Sequence, residues 1–111
     1  MEDGPGSRAI SLGDGSARYQ PVLEGPPDSI ALHSGVVTLE PGSSVGMHST
    51  KGWEEVITVL EGQGELVVPG QDPLAIKPGL AAYCPPRTDH DVVNTGSGTL
   101  RYIFVVTEVM V

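Results

Sequence analysis

One cysteine, one phenylalanine, one tryptophan and six lysine or arginine residues are all of those types that this 111-residue chain contains. The lone Cys84 cannot close an internal disulfide, and no cysteine-rich zinc frame can be built. Fourteen acidic residues against six basic ones give a formal net charge of -8, and no basic cluster occurs. A phosphate backbone would be repelled, so no nucleic acid is expected as a partner. No apolar run approaches the roughly 20 residues that span a bilayer, so no membrane association is expected either. The opening "MEDGPGSRAISLGDG" lacks a basic start followed by an apolar run and does not read as a signal peptide. A soluble cytoplasmic protein is the expectation. Helical periodicity is missing as well: no segment keeps apolar residues at helical spacing for three turns.

What the chain does have is punctuation. Fifteen glycines and ten prolines separate short runs rich in Val, Ile, Leu and Thr, the pattern of an all-β domain. Strands are expected near Ile30–Leu32, Gly35–Glu40, Ser44–His48, Glu54–Leu60, Glu65–Val68, Leu74–Ile76, Ala81–Cys84, Asp89–Asn94 and Thr99–Thr107. Turn chemistry separates them at "EGQG", "VPGQDP", "KPG" and "NTGSG". Strands this short at such spacing argue a sandwich or a small barrel over residues 28–111. Residues 1–27, rich in Gly and Pro, read as an N-terminal arm or edge strand that wraps the domain or a partner. "VITVL" and "YIFVVTEVMV" are apolar on both faces, so the face outside the barrel needs a cover, from the arm or from a second subunit. A homodimer is expected.

The residues able to do chemistry are few. Neutral imidazole and carboxylate gathered inside a barrel suit iron, manganese, nickel or zinc, and the candidates are His48, Glu54 or Glu55, and His90. Strand alternation sets Glu55, Ile57 and Val59 on one face and Glu54, Val56, Thr58 and Leu60 on the other, but both faces are mostly apolar and alternation does not choose between them. Two longer patterns bear on the choice. The first reads Gly42, "SSVGM", His48, Ser49, Thr50, "KGWE", Glu55, "VITVLE", Gly62; the second reads Gly79, "LAAYC", Pro85-Pro86-Arg87, "TD", His90, "DVV", Asn94.

Both patterns, in this order, resemble the two motifs of the cupin family, with two departures: Thr50 stands where the family has a second His, and Arg87 where it has a Gly. The resemblance implies an all-β, cupin-type double-stranded β-helix (jelly-roll) barrel of short antiparallel strands. It selects Glu55 over Glu54, and it implies a divalent transition metal (Fe, Mn, Ni or Zn) held by His48, Glu55 and His90. Cupins of this pattern usually add a fourth ligand; here the hydroxyl of Thr50 takes that place, expected to face the metal and hydrogen-bond a bound water. Three protein ligands leave coordination positions open to water, oxygen or a small-molecule ligand or substrate. The implied functions are oxygenase- or isomerase-type chemistry on a small molecule or, as the alternative, non-enzymatic binding or sensing; no further carboxylate or histidine is placed inside the barrel to decide for turnover.

Other residues carry less. Gly42, Gly62 and Gly79 sit where φ > 0 is expected, and Asn94 reads as a turn residue bonded to its own backbone. His33 reads as a surface or hydrogen-bonded histidine that could reach the barrel mouth. Arg87 reads either as a lure for an anionic substrate or as a solvated loop residue. Trp53 would cap the pocket or pack at a dimer contact, and Cys84 reads as core.

Overall fold

The computed structural model describes residues 4–109. Among them there is no helix, and nine strands follow in order: β1 (Tyr19–Glu24), β2 (His33–Leu39), β3 (His48–Ser49), β4 (Trp53–Glu61), β5 (Gly64–Val67), β6 (Leu74–Ile76), β7 (Ala81–Cys84), β8 (Asp89–Val93) and β9 (Leu100–Glu108). They form a five-stranded sheet in the order β1-β2-β9-β4-β7 and a four-stranded sheet in the order β3-β8-β5-β6, with every pairing antiparallel. The fold is all-β, as expected.

The core lies between the sheets and follows from alternation. On β4, Ile57 and Val59 are buried while Val56 and Leu60 are exposed; on β9, Leu100 and Tyr102 are buried; on β8, His90 and Val92 are buried. Leu39, Leu66, Ile76 and Cys84 complete the same cluster. Burying these side chains against each other removes apolar surface from water, which drives the two short-stranded sheets together. Because side chains repeat every two residues, Glu55 shares the inward face of Ile57, whereas Glu54 turns outward and accepts a hydrogen bond from the Tyr83 hydroxyl at 2.9 Å.

Two strand expectations change. Ile30–Leu32 is not a strand, and Ile30 stands 78% exposed. β1 lies within residues 1–27, the segment read as an arm or edge strand, and is an edge strand; it pairs with β2 and carries its irregular register between Pro21 and Leu23. A proline is tolerated there because β1 is the sheet edge, where one lost ladder bond faces no partner. The expected Ser44–His48 strand shrinks to an isolated bridge, Ser44 with Val93, and the two residues of β3.

Part of the outer face of the five-stranded sheet is covered by the chain itself. Arg101 donates from its guanidinium to the carbonyl of Leu12 at 3.1 Å, and Val36 on the adjoining strand is 1% exposed. Farther along that face, Val56, Leu60 and Tyr83 remain open.

Gly42, Gly62 and Gly79 all adopt positive φ, at 79°, 83° and 98°. Their surroundings differ. A Cβ on Gly42 would meet nothing, while one on Gly62 would run into the Thr99 carbonyl oxygen of the neighbouring backbone. Gly42→Ala should therefore cost only the left-handed penalty, about 1–2 kcal/mol. Gly62→Ala should cost at least about 2 kcal/mol more, because backbone cannot step aside as a side chain can. Urea unfolding of the two variants against the parent measures both.

Candidate metal centre and cavity

Two sheets contribute the site. Glu55 comes from β4 in the five-stranded sheet, and His48 and His90 face each other as a registered pair across β3 and β8 in the other. The Nε2 atom of His90 lies 2.9 Å from Oε1 of Glu55, with the two side chains 1% and 11% exposed. The imidazoles of His48 and His90 lie 4.3 Å apart, centroid to centroid, tilted by 53°.

Backbone carbonyls decide what these rings can offer. Nδ1 of His90 meets the Thr88 carbonyl at 3.1 Å, and Nδ1 of His48 meets the Gly46 carbonyl at 2.7 Å. A carbonyl oxygen only accepts, so each Nδ1 carries the hydrogen and each Nε2 is left as the lone-pair nitrogen of a neutral ring. For His90 that lone pair faces a carboxylate oxygen, another lone-pair bearer. Two such atoms at 2.9 Å out of water need a proton, on His90 or on Glu55, or a metal ion between them. The donor set thus fits a divalent cation. In the metal-free protein the Glu55 hydrogen bond holds the His90 pKa above its ordinary value, against the opposing effect of burial, with the Thr88 carbonyl assisting.

The tightest group of potential ligands is not the one expected. Ligand atoms of Glu55, Cys84 and His90 all lie within 4.8 Å of one another, and His48 is outside that group. Cys84 belongs to the core, and burial followed by the Glu55 charge pushes its thiol up to about 11. A thiol ligates only as the thiolate, so binding there would have to release this proton.

Thr50 also departs from its expected part. It borders the cavity, but its hydroxyl donates to the Pro85 carbonyl at 2.7 Å and accepts from the Thr88 amide at 3.0 Å. Its hydrogen is therefore spent on the loop before His90 instead of on a metal-bound water. The Thr50 amide donates to the Thr88 carbonyl, and the Arg87 amide to the Lys51 carbonyl at 2.7 Å. Among the described residues, Lys51 and Arg87 are the two non-glycine residues with positive φ, 54° and 56°. The left-handed turn at Arg87 is the physical reason a glycine suits that motif position. The Arg87 side chain is exposed and is not a cavity wall.

Beside the His–Glu group opens a cavity of about 350 Å³. Trp53, Phe104, Val37 and Val92 wall it, and Tyr19 of β1 closes one side. Tyr19 stacks on Phe104 with centroids 6.2 Å apart, and it fits there because Gly35 has no side chain: a Cβ would come within 2.5 Å of the Tyr19 ring. Sequence reasoning missed Tyr19; the paired signal was an aromatic on a Pro-containing segment and a lone glycine opening a strand. His33 does not join the metal group; its ring meets Trp53 edge-on at 4.9 Å and braces that wall. Asn94 is buried and reaches beyond its own turn, donating to the carbonyls of Leu39 and Gly98.

The raised His90 pKa has a sign. A group held charged by the fold contributes stability that is fully present below its unfolded value near 6.5 and is lost as pH rises through the higher folded value. The chelator-treated protein should therefore melt at progressively lower temperature as pH is raised above about 6.5. His90→Gln should flatten that dependence in thermal melts from pH 6 to 9.

Residues 35–106 match the family model described as Cupin domain. An oxalate-binding protein of Thermotoga maritima is 35% identical over 68 residues, which cover 61% of this chain and 55% of that protein; the match thus spans little more than half of the relative. A crystal structure described as a predicted oxalate decarboxylase from Thermotoga maritima superposes with a TM-score of 0.64 at 30% identity, over 69% of this chain and 66% of that one. A Cupin 2 conserved barrel domain protein from Salinispora arenicola matches over 97% of this chain and 89% of its own, with a TM-score of 0.72 at 27% identity. With both motifs, the two-sheet barrel and a family match over most of its length, the chain belongs to the cupin family.

Proposed function

We propose that this cupin holds one divalent transition metal with His48, Glu55 and His90 and takes a small molecule in the adjoining cavity. The observation that carries the reading is the contact between His90 Nε2 and Glu55 Oε1, where two lone-pair atoms converge out of water. His48 is preferred to Cys84 as the third ligand. Its Nδ1 is tied to a carbonyl, so Nε2 is free, and it lines the cavity, whereas Cys84 is packed in the core and does not line the cavity. Two imidazoles and a carboxylate suit iron, manganese, nickel or zinc. Bound there, such an ion would supply a Lewis acid toward an oxygen-bearing ligand.

A catalytic reading, of oxygenase or isomerase type, draws on Tyr102. This buried tyrosine lines the cavity, and burial followed by the Glu55 charge raises its pKa, which keeps its hydroxyl a neutral proton donor. The open strip of Val56, Leu60 and Tyr83 supports a homodimer that covers the rest of the outer face. Light scattering at micromolar concentration should then return twice the chain mass; a monomer would remove that part of the reading.

Metal analysis tests the central part. The parent should take up about one ion per chain on reconstitution. His48→Ala, Glu55→Gln and His90→Ala should each weaken binding by more than the roughly 10- to 100-fold that loss of a supporting hydrogen bond costs. Cys84→Ala should bind as the parent does. Failure of the parent to take up iron, manganese, nickel or zinc contradicts the proposal, and loss of binding in Cys84→Ala reassigns the third ligand.

A further inference from the structure

The walls of the cavity specify what enters it. All six lysine and arginine side chains lie among the described residues, and none lines the cavity. Arg18 is spent on Ser43 and on the Ser44 carbonyl, Arg101 on the Leu12 and Gly13 carbonyls, and Arg8 on the Gly6 and Asp28 carbonyls. Apart from the His–Glu end, the surface offered to a ligand is that of Trp53, Phe104, Tyr19, Tyr102 and valines, with Ser49 and Thr50 as uncharged polar neighbours. Such a surface gains from burying a ring and gives no counter-charge to an anion.

Charge and size argue the same way. A divalent ion held by one carboxylate and two neutral imidazoles leaves a single positive charge. One anionic oxygen neutralises it, whereas a dicarboxylate leaves a net negative charge inside an apolar space, which is costly without a partner. At about 30 Å³ per water, the volume accommodates on the order of ten non-hydrogen atoms, more than oxalate would fill.

From these walls we infer that the cavity takes an aromatic molecule that is uncharged apart from one acidic hydroxyl, a phenol or enol. The hydroxyl sits at the His48–Glu55–His90 end and the ring lies against Trp53 and Phe104. The inference rests on the proposed metal centre for the head of the ligand, but the ring site stands on the walls alone. It separates this chain from its oxalate-binding relative.

Calorimetric titration with 2-naphthol and with oxalate tests it, on nickel-loaded and on chelator-treated protein, with metal content measured after each titration so that chelation is not read as binding. The expected result is one 2-naphthol per chain, bound at least tenfold more tightly than oxalate to the loaded protein. Trp53, the single tryptophan, should report it through its fluorescence. Phe104→Ala should weaken 2-naphthol at least tenfold while leaving the metal content unchanged. Val37→Phe, which fills the cavity instead of emptying it, should abolish 2-naphthol binding and covers the case in which Phe104→Ala fails to fold. If the protein takes up no metal, the proposed centre fails, and the chelator-treated titration still decides the ring site: 2-naphthol binding that Val37→Phe removes supports it. Oxalate binding more tightly than 2-naphthol, no 2-naphthol binding to either form, or binding untouched by both variants overturns the inference.

Discussion

A carboxylate and an imidazole held 2.9 Å apart with almost no access to water form the contact on which the open end of this barrel depends. Each comes from a different sheet, so the contact exists only when the two sheets pack at the right separation and register. On the Glu55 side, alternation along β4 turns the same face inward as Ile57 and Val59. On the His90 side, Val92 does the same for β8. The apolar core below therefore sets the geometry of the polar group above it.

Around that contact the chain spends its hydrogen bonds on orientation. Carbonyls of Gly46 and Thr88 hold both histidines with Nε2 toward the centre. Thr50 then holds the loop that carries the Thr88 carbonyl, through its hydroxyl to Pro85 and from the Thr88 amide, and through its own amide to the Thr88 carbonyl. A hydroxyl at this position thus braces the loop whose Thr88 carbonyl meets His90 Nδ1. The cavity beside this group is lined by aromatic and valine side chains, and one of its aromatic walls, Tyr19, comes from outside the family-matched region.

Much of this was legible in the residues. Gly/Pro punctuation and two-residue alternation located most strands within a residue or two, because a strand with one face in the core must alternate. The motif spacing selected Glu55 over Glu54, and the structure puts Glu55 on the inward face and Glu54 against Tyr83. What escaped were relations between distant segments. An edge strand within residues 1–27 was one of two readings, but Pro21 obscured the bounds of β1 and its pairing with β2. Tyr19 in the cavity depends on the absence of a side chain at Gly35, and neither residue signals the other. The partners of Thr50 lie 35 and 38 residues away in a loop, beyond any periodicity. Cys84 read correctly as core, yet its nearness to Glu55 and His90 follows from the pairing of β4 with β7, which no local pattern shows.

X-ray absorption at the metal edge of the reconstituted protein tests the account most directly, because it counts ligand types without relying on affinity or turnover. The account requires a shell of nitrogen and oxygen at roughly 2.0–2.2 Å, with the outer-shell scattering of two imidazoles and no sulfur. A sulfur scatterer near about 2.3 Å would place Cys84 in the site and contradict it, and the scattering of only one imidazole would contradict it by removing one of the two histidines.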